Sequence, residues 1–386
     1  MRLPTIPDLG DLGGCRVLLR ADLNVPLRGG EVADDTRIAE IVPTIQALRE
    51  AGAEVTLCSH LGRPGGRPDP ACDMAPVRRC LAESVPGVAL LENLRFDPGE
   101  EAGDPALAER LVARHDVFVN DAFAVCHRSH ASVVGPPRLR PSAAGLLMLV
   151  EVAEILSLRR APRRPFVVML GGAKVADKLG VVRAVCDLAD AVLIGGAMCF
   201  TFLEAAGHGI GASLCDPSRL EDCRALLDGG FPLHLPEDLI GLGPGGRIGD
   251  PAADGAVRQF GRDLPEGWLG ADIGPGTAAL FADTIADAGT VFWNGPLGAF
   301  EDPRFAAGTI TVAEALAETR AHSVVGGGDS GAALASMGLA GSVSHLSTGG
   351  GASLALLEHG DLPGLAALRE SAERLSLPTH EVEDRD

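Results

Sequence analysis

The chain has no tyrosine, and aromatic residues make up only 4% of it. Surfaces that hold single-stranded nucleic acid stack bases on aromatic rings, so that class of partner is not expected. Cations are also outnumbered: Lys and Arg total 33 against 52 Asp and Glu, a formal net charge of −19, which repels polyanions overall. Long apolar runs are missing as well. The longest, AAGLLMLVEVAEIL, is broken by Glu151 and Glu154 and is too short to span a bilayer. The first residues, MRLPTIPDLG, lack the apolar centre of a secretory leader. None of the nine cysteines forms a CxxC pair or a regular framework, which fits reduced thiols. A cytoplasmic protein with neither membrane nor nucleic-acid partners is expected.

What is present is an alternation of short apolar runs with helical patterns. RVLLR (16–20), EVTLC (54–58), VALL (88–91) and VFV (117–119) read as buried strands of one sheet. FVVML (166–170), AVLI (191–194), VFW (291–293) and SVV (323–325) read as a second. Stretches such as IAEIVPTIQALREAG and DKLGVVRAVCDLAD between them have helical periodicity, with Leu179, Val182, Cys186 and Ala189 on one face. Strands alternating with helices imply parallel sheets with right-handed crossovers, hence a doubly wound α/β fold. The length of 386 residues predicts two domains, 1–150 and 151–361, with 142–158 read as a helix joining them. The polar tail THEVEDRD is expected to fray.

Lysine occurs only twice, at 174 and 178 in GGAKVADKL, directly after the apolar run FVVML and a glycine pair. This reads as a strand–loop–helix turn in which bare glycines let N–H groups approach a phosphate and the helix N-terminus adds positive potential. Lys174 and Lys178, four apart, are predicted on one side of the first helical turn. A compact ammonium on a flexible stem follows a moving phosphoryl group better than a planar guanidinium does. SVVGGGDSGAALA repeats the form at Gly326–Gly328, with Asp329 as a helix cap, a magnesium ligand or both, and STGGGASLALLE repeats it at Gly349–Gly351. Three such turns point to a polyphosphate ligand. There is no GxxxxGK[ST] loop and no HRD or DFG set, which excludes P-loop enzymes and protein kinases. GLGPGG (241–246) fits G-x-G-x-x-G, but RIGDPAADG after it is no helix, so it reads as an ordinary loop.

The first half carries isolated cations, each read as lying just beyond a strand: Arg37, His60, Arg63, Arg95 and Arg128. They suit a small phosphorylated or carboxylated ligand at the carboxyl edge of a parallel sheet, with Asp22 and Asn24 placed to bind a hydroxyl or orient the arginines. His127 and His130 beside Cys126 lack a third ligand set for a metal.

In order, RADLNVP, DDTRI, SHLGRP, ENLRF, NDAFAVCHRSH, GGAKVADK, GGAMCFTFL, WNGPLGAFE, GGGDS and STGGGASL resemble the motifs of the phosphoglycerate kinases, from Arg20 to about Gly364. The resemblance implies two Rossmann-like domains joined by a hinge helix around a cleft, in a monomer. It implies magnesium-dependent phosphoryl transfer between 1,3-bisphosphoglycerate and ADP. By motif, Asp22, Asn24, Arg37, His60, Leu61, Gly62, Arg63, Arg95 and Arg128 would bind the phosphoglycerate. Gly172, Lys178, Gly195, Gly196, Asn294, Glu301, Gly327, Gly328, Asp329 and Ser330 would bind the nucleotide, with Asp329 holding magnesium. Arg37, Lys174, Lys178, Gly350 and Gly351 would meet the transferring group. The C-terminal segment, about 362–386, would pack back on the first domain. Gly195, Gly196 and Ala197 stand where the family reads three glycines, and AVCHRSH stands for GTAHRAH; these imply a reshaped adenine pocket and altered local packing. The alternatives are a nicotinamide-dependent oxidoreductase on the same kind of sheet, or a non-catalytic nucleotide-binding protein.

Overall fold

The computed structural model describes residues 1–176, 178–253 and 255–382. They divide into two compact units: Met1–Glu154 with the chain from Gly360 onward, and Ile155–His359.

In the first unit, strands β1 (Arg16–Arg20), β2 (Glu54–Cys58), β3 (Ala89–Leu90), β4 (Val117–Asn120) and β5 (Ser142–Ala144) form one parallel sheet in the order β3-β2-β1-β4-β5. Helices cover both faces, so these strands read as near-continuous apolar runs. Side chains alternate between the two faces. Val17, Leu19, Leu57 and Val119 pack in one cluster with Ile38, Ile41, Ile45 and Leu48 of helix α1 (Thr36–Glu50). Leu18, Cys58 and Phe118 face the opposite way, against Leu107 and Leu111.

The helix expected over 142–158 begins later. Residues 142–144 pair with β4 as an edge strand, and helix α2 runs Leu146–Arg160, crossing the division between the units. Thr44 Oγ1 accepts the Leu146 N–H at 3.1 Å and Asp121 Oδ1 the Met148 N–H at 2.8 Å, partnering donors that a helix start leaves open. Gly145 separates strand from helix because a Cβ there would lie 2.3 Å from the Asp121 carboxyl carbon.

The second unit is built on β6 (Phe166–Leu170), β7 (Ala191–Ile194) and β8 (Leu233–His234), then, after an insertion, β12 (Thr290–Asn294), β13 (His322–Gly326) and β14 (His345–Ser347). A three-stranded antiparallel sheet is inserted between β8 and β12: β9 (Leu239–Leu242) runs between β10 (Val257–Phe260) and β11 (Leu269–Ile273). Strands β12, β13 and β14 complete a six-stranded parallel sheet in the order β8-β7-β6-β12-β13-β14. Its core joins Val167, Met169, Val291 and Trp293 to Phe281, Ile285, Val312 and Leu316. The GLGPGG stretch starts inside β9 and leaves it as a turn, with no helix after it.

The C-terminal segment belongs to the first unit. Helix Pro363–Leu375 is anchored where the Gly364 N–H meets the Cys126 carbonyl at 2.9 Å. The tail does not fray where expected: His380–Glu381 pairs antiparallel with Arg2–Leu3, and His380 Nε2 lies 2.8 Å from Asp8 Oδ1. The rest of that expectation, residues 383–386, lies outside the described residues.

Candidate active site

In the first unit, the chain leaving β1 and β2 at the carboxyl edge brings several motif residues together. Asp22 pairs with Arg37, and its Oδ1 lies 4.0 Å from His60 Nδ1. Asn24 Oδ1 accepts the Gly62 N–H at 2.8 Å, and Arg95 Nη1 donates to the Gly62 carbonyl at 2.7 Å. Asn93 stitches the same loop from below, its Nδ2 donating to the Leu61 carbonyl at 2.7 Å. Arg37 differs from its expected place: it lies in the first turn of α1, not beyond a strand of the sheet. Arg63 is exposed and Arg128 half-buried.

Electrostatics place Arg128 and Arg20 near Arg95. Burial lowers the Arg95 pKa, Glu101 opposes this, and Arg128 and Arg20 push it further down. Burial, then the charges of Arg20, Arg95, Arg37 and His130, hold His60 well below the usual histidine range, so it is neutral. Arg95 Nε lies 3.2 Å from Glu101 Oε1, so Arg37 and Arg95 each face a carboxylate, and the half-buried Arg128 beside them adds positive potential that suits an anion.

In the second unit, the loops after β6, β7 and β12 line a cavity of about 390 Å³ with Gly172, Gly196, Phe200, Gly270, Asp272, Pro296, Leu297, Glu301 and Asp329. The pair Gly171–Gly172 acts differently from expectation, and Gly195 and Gly196 share its pattern. Gly171 donates its N–H to the Asn294 carbonyl, Gly172 to Pro296, Gly195 to Leu170 and Gly196 to Leu297, at 2.8–3.0 Å. Those N–H groups are committed to protein. A Cβ at Gly171 would lie 2.2 Å from the Pro296 oxygen, and one at Gly196 2.4 Å from the Gly172 nitrogen. Glycine is required because three loop backbones pack directly on one another, and the result is a smooth cavity wall.

The other two glycine turns open helices. Gly327 (φ +98°) precedes helix α4 (Gly328–Ser336), whose first turn holds Asp329 and Ser330, and Gly350 precedes helix α5 (Gly351–His359). The first N–H groups of a helix have no intrahelical partner. Asp329 is therefore not the cap, which is Gly327; its exposed carboxylate lines the cavity instead. Asn294 and Ser330 support these turns from beneath: Asn294 Nδ2 donates to the Gly326 carbonyl at 2.9 Å, and Ser330 Oγ accepts the Gly295 N–H at 2.6 Å.

The two lysines do not share a helical face. Helix α3 (Leu179–Cys186) starts only after both, with Lys178 as its cap residue and Lys174 exposed in the preceding loop. Lys178 Nζ donates to the Gly171 carbonyl at 2.6 Å and the Asn294 carbonyl at 3.0 Å, bridging the ends of β6 and β12.

Phe200, Gly270 and Asp272 were not singled out by the sequence. A Cβ at Gly270 would meet the Phe200 ring at 2.0 Å, so the absence of a side chain there lets that ring close the wall. Asp272 accepts N–H bonds from Ile273 at 2.9 Å and Gly308 at 2.8 Å, yet burial raises its pKa to about 7. A lone carboxylate in an apolar run gives no periodic signal.

The family model described as phosphoglycerate kinase matches residues 6–87 and 86–360. Among curated relatives, a phosphoglycerate kinase of Rubrobacter xylanophilus is 48% identical, over 94% of this chain and 97% of that protein. One from Thermosipho africanus is 44% identical over 94% and 97%. Of solved structures, phosphoglycerate kinase from Coxiella burnetii superposes with a TM-score of 0.83 at 35% identity, covering 96% of this chain and all of that one. That from Pyrococcus horikoshii gives 0.83 at 31% identity with the same coverage.

Proposed function

The chain belongs to the phosphoglycerate kinase family, and from that premise we propose how its residues share out the reaction. The protein is a glycolytic phosphotransferase that moves a phosphoryl group between 1,3-bisphosphoglycerate and ADP, giving 3-phosphoglycerate and ATP. The oxidoreductase alternative is not favoured.

The phosphoglycerate is assigned to the first unit. Arg63, Arg95 and Arg128 take its phosphate, His60 and Asn24 its polar groups, and Asp22 orients Arg37 toward the transferring group. The nucleotide is assigned to the cavity of the second unit. Its base lies against the glycine wall and Phe200, its ribose against Glu301, and its phosphates against the α4 and α5 turns with Lys178. The observation that carries this assignment is the division of labour among the glycines: committed N–H groups at 171–172 and 195–196, helix-start donors at 328–330 and 351.

The acceptor carboxylate is ionised at neutral pH, so no general base is needed. Transfer demands in-line positioning and neutralisation of negative charge spread over the equatorial oxygens. Arg37, Lys174 and the amides of Gly350 and Gly351 supply that charge. The two ligands are assigned to different units, and α2 is a connection between those units.

A metal, assigned as magnesium, fits Asp329. Its carboxylate is exposed on the cavity wall, and a cation held there would take its other oxygens from phosphate and water. When bound, it neutralises phosphate charge. All nine cysteines are free thiols, which supports a cytoplasmic setting, and the protein is read as a monomer.

Calorimetric titration of two variants tests the assignment. Arg128→Ala should weaken 3-phosphoglycerate binding and spare ADP, and Glu301→Ala the reverse; equal losses of both ligands in either variant would contradict it.

A further inference from the structure

We propose that Arg20 is a positioning residue that fixes His60 as the neutral tautomer with its proton on Nε2, so that the site offers substrate a hydrogen-bond donor and not an imidazolium. The inference rests on the assignment of His60 to the phosphoglycerate site.

Arg20 closes β1, and its side chain is fully buried. A buried guanidinium needs every donor placed. Its Nε donates to Ser132 Oγ at 3.0 Å, and Nη1 to the Ala21 carbonyl. Ser132 Oγ in turn donates to Glu100 Oε1 at 2.6 Å, and the Ser132 N–H to Glu100 Oε2 at 2.9 Å. Glu100 is itself fully buried. This network leaves the guanidinium little freedom to turn. Its remaining nitrogen, Nη2, lies 3.3 Å from His60 Nδ1.

A guanidinium has donors only and does not lose its proton in a protein. At that contact Nδ1 must therefore be the acceptor, with a lone pair. The one proton of a neutral imidazole is then on Nε2. The carboxylate that could compete for an Nδ1 proton, Asp22, stands 4.0 Å off and is engaged by Arg37. The other charged or titratable groups acting on His60 are Arg95, Arg37 and His130, and each opposes a second proton on the ring. Arg20 thus does for His60 what a carbonyl or carboxylate does for a metal-bound histidine, with the sign reversed: it fixes the ring by donating to it.

Long-range ¹H–¹⁵N correlation spectra of the unliganded full-length protein, labelled in histidine, test this. The His60 signals are assigned by their loss in His60→Gln. The expected result is a bare Nδ1 and a protonated Nε2, unchanged from pH 6 to 8. A proton on Nδ1, or an imidazolium in that range, overturns the proposal, and this reading is made on the wild-type protein. In Arg20→Met the bare-Nδ1 signature should be lost, the ring proton moving to Nδ1 on the side of Asp22, while Arg20→Lys restores the wild-type pattern; an unchanged tautomer in Arg20→Met removes Arg20 from the role. KM for 3-phosphoglycerate should rise in Arg20→Met and recover in Arg20→Lys, since without Arg20 the ring offers substrate no Nε2 donor. An unchanged KM alongside the expected spectra would overturn the placement of His60 against substrate and leave its tautomer standing.

Discussion

Lys178 Nζ donates to the carbonyl oxygen of Gly171 at 2.6 Å, at the point where the central strand β6 ends. The Asn294 carbonyl at the end of β12 takes a second N–H. The space is small, for a Cβ on Gly295 would lie 2.7 Å from the same Nζ. A compact ammonium fits between two strand ends there, and a planar fork does not. Lys178→Arg is expected to lower kcat with ATP despite equal charge, and to cost about 1–3 kcal/mol of stability, as overpacking does. Steady-state kinetics with urea unfolding check both; wild-type values in the variant would contradict the steric account.

Arg37 is held by Asp22 and belongs to the first unit. Arg37→Ala should cut kcat by about 10²–10³, the loss of one transition-state donor. ADP affinity should be nearly intact. Turnover numbers and a nucleotide titration on the same preparation decide it.

Asp272 gives a pH dependence. Burial raises its pKa to about 7 in the folded protein, against an ordinary value of 3.8. Between those values the folded form holds a proton that the unfolded form has lost. Its contribution to stability is therefore present at low pH and declines as pH rises from about 4 to about 7. Wild type should lose thermal stability relative to Asp272→Asn on going from pH 5 to pH 8. Melting temperatures of the pair at both pH values provide the check; a constant difference would show that Asp272 does not titrate there.

Gly364 meets Cys126, where a Cβ would lie 2.8 Å from Sγ and 2.9 Å from Val133 Cγ1. The same loop carries Arg128. Gly364→Ala should cost about 1–3 kcal/mol by overpacking. It should also raise KM for 3-phosphoglycerate more than KM for ATP. Equal changes in the two constants would separate the C-terminal helix from the Arg128 loop.

Strands β1, β2, β6 and β7 were legible to the residue, because a parallel strand covered on both faces is apolar throughout. The inserted sheet was not. Its strand β10, VRQF, is mostly exposed, and β9 contains a glycine, so neither stands out from loop. Arginines and glycine turns marked both parts of the candidate site, since bare cations and helix-opening glycines stand out against apolar runs. What the first glycine pair does was misread: Gly171 admits a neighbouring backbone, a contact with Pro296 more than a hundred residues away that no local pattern encodes. Arg20 was passed over for a similar reason. Its partners Ser132, Glu100 and His60 come from three separate stretches of chain.

The central claim is that one chain couples a phosphoglycerate site to a nucleotide site for transfer of a single phosphoryl group. The most direct test is a coupled assay in which the purified protein, given ATP, magnesium and 3-phosphoglycerate, feeds glyceraldehyde-3-phosphate dehydrogenase and NADH oxidation is followed. Oxidation that requires all three additions and stops on chelation of the metal is the predicted result. ATP hydrolysis that is indifferent to 3-phosphoglycerate, or no NADH oxidation at all, would contradict it.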